Sequence, residues 1–193
     1  MGDDTNDEDI ALMALVARGD ESAFSRLVEK HQHAVVGTVA KMTNNSADTE
    51  DIAQQVFIRL WKSAKRYKPT AKFTTFLFTI TRNLVFNASR KKSRRKEHSL
   101  DEQEDDWHRS VEDQHPGSRP DQSLEQDELR AVVDRAIASL PEKQRLAVVL
   151  RRYEQMPYDE IARVLDLSIP AVKSQLFRAR TALREALEPY LSD

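Results

Sequence analysis

Two helices joined by a two-residue turn are written into residues 158–187, and they limit the folds open to this chain more than any other feature. In YDEIARVL, residues 158–165, Ile161, Ala162 and Leu165 share one side of a helix. Asp166 and Leu167 leave room only for a tight turn. Ser168 then caps a longer helix, in which Val172, Leu176, Ala179, Leu183 and Leu187 recur at helical spacing. Two helices so connected, the second rich in Lys and Arg, read as a helix-turn-helix. The outward side of the second helix carries Ala171, Lys173, Ser174, Gln175 and Arg178. Such side chains reach base edges and phosphates in a major groove, where Arg pairs bidentately with guanine. An ordinary helical hairpin with a solvated charged face is the plainer alternative.

The remaining sequence also favours helix. The chain has 193 residues but only four glycines, and alternating strand patterns are scarce, so the expected fold class is all-α. Residues 1–8 are polar and read as disordered. A short helix follows, with Ile10, Leu12, Met13, Leu15 and Val16 stopped by Gly19. Asp20 caps a second helix carrying Phe24, Leu27, Val28, Val35 and Val39, which Asn44, Asn45 and Ser46 break. Ser46 is the expected cap of a third helix, with Ile52, Val56, Leu60 and Ala64 on one face. A loop around Pro69 leads to a fourth helix starting at Thr74 or Thr75, with Leu77, Ile80 and Leu84 inward. These elements predict one helical domain over residues 8–96.

Residues 97–122 hold Pro116, Gly117, Pro120 and many acids without a helical apolar stripe, and predict an acidic flexible linker. Trp107 and Val111 are its only large apolar residues. Ser123 and Gln126 form a capping-box pattern ahead of Leu129, Val132, Val133, Ala136, Ile137 and Leu140. Pro141 suits the first position of the next helix, where Leu146, Val149, Leu150 and Tyr153 form the stripe. The second helical domain is thus expected over residues 123–191, with the helix-turn-helix inside it.

The formal net charge of −2 hides a sharp partition. Residues 52–96 contain no Asp or Glu. They carry Arg59, Lys62, Lys65, Arg66, Lys68, Lys72 and Arg82, then a run from Arg90 to Lys96. Phe57, Trp61, Tyr67, Phe73, Phe76, Phe78 and Phe86 are threaded among them. Basic groups neutralise phosphates and exposed aromatics stack on unpaired bases, so the segment suits single-stranded or melted nucleic acid. A core helix with a solvated basic face fits it equally well.

Other classes find less support. The absence of cysteine excludes a disulfide framework and a thiolate metal site. No apolar run approaches the roughly 20 residues that span a bilayer, and no signal-peptide pattern is present, so a cytoplasmic protein without membrane insertion is expected. His31 and His33 are two apart on a helix and point in different directions, while His98, His108 and His115 fall in the expected linker. None makes a catalytic or metal-ligand pattern with nearby acids, so no enzyme activity, metal or cofactor is expected.

The run LPEKQRLAVVLRRYEQMPYDEIARVLDLSIPAVKSQLFRARTALREAL, ending at Leu187, resembles the C-terminal domain of the extracytoplasmic-function (ECF) sigma factors of bacterial RNA polymerase. DTEDIAQQVFIRLW and FTTFLFTITRNL, within residues 48–95, resemble the N-terminal domain of the same family. The resemblance implies that the helix with Asp48, Glu50, Asp51, Ile52, Gln54, Gln55, Phe57, Arg59 and Trp61 binds the clamp helices of core RNA polymerase. It implies that Tyr67, Lys68, Lys72, Phe76, Asn83, Asn87 and Arg90 read and melt the minus-10 element, with the loop of residues 67–72 capturing a flipped base. It assigns the minus-35 element to Ser168, Ala171, Lys173, Ser174, Gln175, Phe177, Arg178 and Arg180, with Phe177 equally suited to the core. Expected partners are core RNA polymerase (clamp helices and flap), duplex and single-stranded promoter DNA, and an anti-sigma factor. The chain stops soon after Leu187, so control is expected from outside it. In the family an acidic linker threads polymerase channels; a solvated tether explains these acids as well.

Three positions depart from the family pattern. Gln55 stands where an acid is usual, Asp166 where the turn usually has glycine, and Gln175 where Arg is common. Asp tolerates a left-handed backbone better than most residues, so the turn is expected to survive. The competing reading is an autonomous helix-turn-helix regulator that binds duplex DNA as a dimer. It leaves the basic aromatic segment and the polymerase-type helix unexplained.

Overall fold

Eight α-helices and one 3-10 turn, Ala64–Arg66, make up residues 2–44, 46–98 and 120–191, the part of the chain that the computed structural model describes. No strand occurs among the described residues, in keeping with the all-α expectation. Residues 99–119, with most of the expected acidic linker, Trp107, Val111, His108 and His115, lie outside the described residues, as do Met1, Asn45 and residues 192–193.

The first helix, α1 (Gly2–Val16), begins where disorder was expected. Long-range contacts, invisible to composition, order it. Glu8 meets Arg26 at 2.7 Å and Lys30 at 2.9 Å. Asp9 is buried against Lys30 and His31, while Leu12, Met13 and Val16 enter the core. Gly19 then turns the chain at φ 92°, a conformation that costs glycine nothing. Asp20 accepts a hydrogen bond from Ala23 N at 2.9 Å and opens α2 (Glu21–Thr43), which Asn44 closes in a left-handed conformation.

The third helix, α3 (Thr49–Ser63), starts later than expected: Asp48, not Ser46, is its N-cap residue, and Ser46 contributes only a backbone carbonyl to Thr49 N. Its Ile52, Val56 and Leu60 are buried, as is Ala64 in the 3-10 turn. The fourth helix, α4 (Phe73–His98), begins at Phe73 rather than Thr74 or Thr75. Its cap comes from far away, since Phe73 N donates to Asn6 Oδ1 at 2.9 Å. Phe73, Leu77, Phe78, Thr81, Val85 and Phe86 are its buried side, with Ile80 and Leu84 only half-buried. The register differs because α4 is covered by α2 and α3 on one side and by a later helix on another.

The fifth helix, α5 (Pro120–Ser139), opens three residues before the expected Ser123 cap, with Pro120 in the first turn, where a missing N–H costs nothing. Ala136, Ile137 and Leu140 are buried, but Leu129 is exposed. Pro141 is the N-cap of α6 (Glu142–Arg152) rather than its first residue. Leu146, Val149 and Leu150 fill the core, whereas Tyr153, expected inside, is exposed with the Lys41 ammonium 4.3 Å over its ring. The last two helices are α7 (Tyr158–Leu165) and α8 (Ile169–Leu191).

The two halves pack on each other, and their buried side chains run together into one cluster that includes Leu27, Val56 and Leu77 as well as Leu146, Ile161 and Leu176. Polar contacts line the seam. Arg145 donates to the carbonyl of Met42, at the end of α2, and to those of Ala138 and Leu140. Lys41 pairs with Asp134 at 3.1 Å, and the Thr38 hydroxyl donates to Glu154 at 3.3 Å. Burial draws the Arg145 guanidinium below its ordinary pKa and raises the Glu154 carboxyl, against the lowering effect of the Thr38 hydrogen bond.

Candidate nucleic-acid interface

The turn between α7 and α8 is built by Asp166 at φ 54° and ψ 54°. Leu167 N returns to the Ala162 carbonyl at 2.9 Å, which ties off the end of α7. Ser168 Oγ accepts from Ala171 N at 3.3 Å and opens α8. Val172, Leu176 and Ala179 are buried beneath that helix. The opposite side is bare: Ser168, Lys173, Ser174, Phe177, Arg178 and Arg180 are exposed, with Ala171 and Gln175 half-buried beside them. Phe177, which the sequence assigns equally well to core or surface, is 66% exposed.

A second polar face lies on α3. Asp48, Glu50, Asp51, Gln54, Gln55 and Arg59 are all exposed, opposite the Ile52–Val56–Leu60 stripe. Ile58, also exposed, puts an apolar side chain among them. The acids cluster at the helix start, where the dipole favours them.

The third face combines the loop of residues 67–72 with the outer side of α4. Lys68, Lys72, Asn83, Asn87 and Arg90 are exposed. Arg90 donates to Asn87 Oδ1 at 3.1 Å and to the Phe86 carbonyl at 3.3 Å, so Asn87 is held by its neighbour one turn on. The aromatics of this segment are mainly structural. Phe73, Phe78 and Phe86 are buried, Trp61 packs edge-on against Phe24 at 5.0 Å, and none is in the open. Tyr67 and Phe76 are half-buried with ring centroids 4.9 Å apart. Burial, then the nearby Asp9 charge, raises the Tyr67 hydroxyl above its ordinary pKa. The exposed stacking platform that the aromatic pattern suggests is thus narrower than expected; the basic residues beyond Phe86 are the open part.

Contacts that sequence reasoning did not foresee join this third face to α7. Glu160 is buried, with one carboxylate oxygen 2.8 Å from Lys72 Nζ and the other accepting from Thr75 Oγ1 at 3.4 Å. Arg82 Nε donates to the Val164 carbonyl at 3.0 Å. A signal was present: Glu160 and Val164 are four apart, one helical turn, on the side of α7 that turns inward.

A helix-turn-helix with an open basic reading face, beside a second body with polar and basic helical faces, defines a DNA-binding protein of transcription. Comparison with known proteins narrows the class. The description "Sigma-70 region 2" matches residues 27–95 and "Sigma-70, region 4" matches residues 130–183. The chain is 32% identical over 193 residues to the RNA polymerase sigma-H factor of Pseudomonas aeruginosa, covering 98% of each chain. It is 33% identical over 184 residues to the ECF RNA polymerase sigma-E factor of Escherichia coli K12, covering 95% of this chain and 96% of the relative. Among solved structures it is similar to CnrH in complex with the cytosolic domain of CnrY, with a TM-score of 0.69, 25% identity, and coverage of 94% of this chain and 98% of that one. The fold is shared too by the sigma factor RpoE, solved with the anti-sigma factor NepR from Bartonella quintana, at a TM-score of 0.69 and 22% identity over 88% of this chain and 98% of that one. The chain belongs to the sigma-70 family of RNA polymerase sigma factors, and its relatives place it in the ECF group. An autonomous regulator would leave the match over residues 27–95 without a purpose.

Proposed function

We propose that the three faces divide the work of promoter-specific initiation as follows. The exposed row on α3, from Asp48 to Arg59, docks on the clamp helices of core RNA polymerase, while the C-terminal half meets the flap. The reading side of α8 holds the duplex minus-35 element through Ser168, Ala171, Lys173, Ser174, Gln175, Phe177, Arg178 and Arg180. The loop of residues 67–72, with Phe76, Asn83, Asn87 and Arg90, takes the unpaired minus-10 strand. Residues 8–96 and 123–191 act as the two working bodies, with 97–122 as the acidic connection. The chain supplies recognition and strand capture and no catalytic group, metal or cofactor of its own. An anti-sigma factor is its regulator, and it works in the cytoplasm; no helix among the described residues is long and apolar enough to cross a membrane.

The sidedness of α8 supports this reading most. Val172, Leu176 and Ala179 are fully committed to the core, yet Lys173, Ser174, Phe177 and Arg178 interleave with them and face away. An exposed Phe on such a face has no packing role, whereas a thymine methyl or a sugar edge would give it one. The polymerase arm has a direct test. Asp51→Arg and Gln54→Arg alter α3 off its buried stripe, so circular dichroism should stay unchanged while co-elution with core enzyme on gel filtration falls. Undiminished co-elution of both folded variants would remove α3 from the polymerase interface.

A further inference from the structure

We propose that Asn6 is a positioning residue for strand capture: reaching across from α1, it fixes the end of the loop of residues 67–72 and so holds that loop in the shape that takes an unpaired base. The proposal rests on the reading of the loop as the base-capturing element.

Two routes from α1 converge on Phe73, the residue at which the loop becomes helix. Asn6 Oδ1 accepts from Phe73 N at 2.9 Å. Asp9, buried on the same helix, holds His31, and the His31 ring lies 5.1 Å from the Phe73 ring. Phe73 itself is fully buried and stands edge-on to Tyr67, at the other end of the loop, with ring centroids 6.4 Å apart. The 3-10 turn Ala64–Arg66, which leads into Tyr67, also packs on α1. Both ends of the loop are thus set from α1, while its middle is open: Lys68, Pro69, Thr70 and Lys72 are exposed.

The residue beside α4 cannot supply this cap. A helix start leaves its first N–H groups without partners inside the helix, and the side chain of Lys72, just before Phe73, has no acceptor to offer. Asn is among the side chains that cap best, and here it comes from 67 residues away. So short a loop passes the position of its ends to its middle. Pro69 has a fixed φ, and Thr70 N returns to the Lys68 carbonyl at 2.8 Å, so little slack remains. Ordering a loop on binding costs affinity, and a loop ordered beforehand avoids that cost.

The test uses holoenzyme reconstituted from the full chain and core RNA polymerase, with a promoter that the unaltered protein opens. Binding is measured to a fluorescent single-stranded oligonucleotide carrying the non-template minus-10 sequence, and to a series in which one abasic site is moved across it. Asn6→Ala should weaken binding to the intact strand about fivefold, the factor that loss of an ordinary cap represents. On the strand abasic at the captured position the effect should vanish, because a positioning residue is coupled to the base it helps to hold. Asn6→Asp keeps an acceptor and places a charge that a helix start favours, so it should restore the behaviour of the unaltered protein. Co-elution with core enzyme and affinity for duplex minus-35 DNA should be the same in all three chains. An equal loss on every oligonucleotide, a parallel loss in core or minus-35 binding, or failure of Asn6→Asp to restore binding would each show that Asn6 serves folding alone and would overturn the proposal. Unchanged binding in Asn6→Ala would do the same. The double variant Thr70→Gly, Ala71→Gly loosens the loop directly and separates the two levels. If it alone loses the abasic-sensitive binding, the loop remains the capturing element without help from α1; if it too is inert, the reading of the loop falls as well.

Discussion

His31 Nε2 lies 2.9 Å from Asp9 Oδ2 in the protein interior, joining α2 to a helix whose first residues composition alone would leave unfolded. Lys30 Nζ holds the other oxygen at 2.6 Å. Burial pushes the Asp9 carboxyl up, but its hydrogen bonds with His31 and Lys30 outweigh burial and leave it below its ordinary value. A carboxyl depressed in the folded state stabilises above its unfolded pKa, and that contribution fades as pH falls through the lower, folded one. The chain should therefore lose stability on acidification below the ordinary carboxylate range. Asp9→Asn should cost about 1.5–3 kcal/mol near neutral pH, in line with a hydrogen bond to a charged group, and should flatten the acid limb. Urea denaturation at a series of pH values checks both; an acid limb of the same depth in the variant would show that other groups set it.

Asn6 offers a separate handle on the same helix. Its side chain caps α4 across the fold, so Asn6→Ala should destabilise by about 1 kcal/mol, as for loss of an ordinary N-cap. Amide exchange at Phe73 should quicken in the variant more than exchange at Leu77, one turn further in. Equal acceleration of both would mean that α1 as a whole has come loose.

On α8, Arg178→Ala should weaken minus-35 recognition by about 1–3 kcal/mol and relax base preference at one position. Lys173→Ala should lower affinity evenly across sequences and flatten the salt dependence, as loss of a phosphate contact does. Both residues are exposed and off the buried stripe, so folding is not at stake. Run-off transcription on a promoter set with reconstituted holoenzyme measures the first effect and binding against salt the second. Unaltered promoter choice and salt slope would move the reading face elsewhere.

Changing Asn83 and Asn87 together to Ala should damage open-complex formation more than initial docking. Melting breaks pairs and stacks, and the exposed bases must be held in compensation. The deficit should shrink on a template already mismatched across the minus-10 region, where the unpairing cost is absent. Permanganate reactivity of bubble thymines on duplex and pre-melted promoters gives the comparison. Because Arg90 donates to Asn87, Arg90→Ala is the needed companion: a deficit confined to that variant would place the effect on the Arg side chain.

Local chemistry made much of the helix-turn-helix legible. The Asp166 turn, the Ser168 cap and the Val172–Leu176–Ala179 stripe are all short-range features, and each stands where spacing predicts it. The misreadings share a different origin. The order of residues 2–8 and the start of α4 at Phe73 depend on partners 18 to 67 residues away, and Tyr153 meets Lys41 from the other half, none of which a local pattern encodes. Aromatic content misled for a similar reason: Phe73, Phe78 and Phe86 look available for stacking until α2, α3 and α7 are placed around them. Most of the candidate positions are exposed, with Tyr67, Phe76, Ala171 and Gln175 half-buried, whereas the Glu160–Lys72 pair required the two halves together.

If the loop and the basic end of α4 both meet the strand, the length of α4 sets a measure on the DNA. Phe73 and Arg95 lie in one uninterrupted helix, roughly 33 Å apart along its axis at about 1.5 Å per residue. One turn of duplex is about 34–36 Å. On the proposed assignment, a base held by the loop just before Phe73 and a phosphate held by Arg94 or Arg95 would be kept by a rigid rod at a fixed separation, close in length to one duplex turn. With both contacts made as proposed, the helix would work as a gauge of the spacing between them. Inserting one residue into α4 between Arg90 and Arg94 would rotate the basic end by about 100° and shift the gauge by a fraction of a base pair, so the rotation would matter far more than the added length.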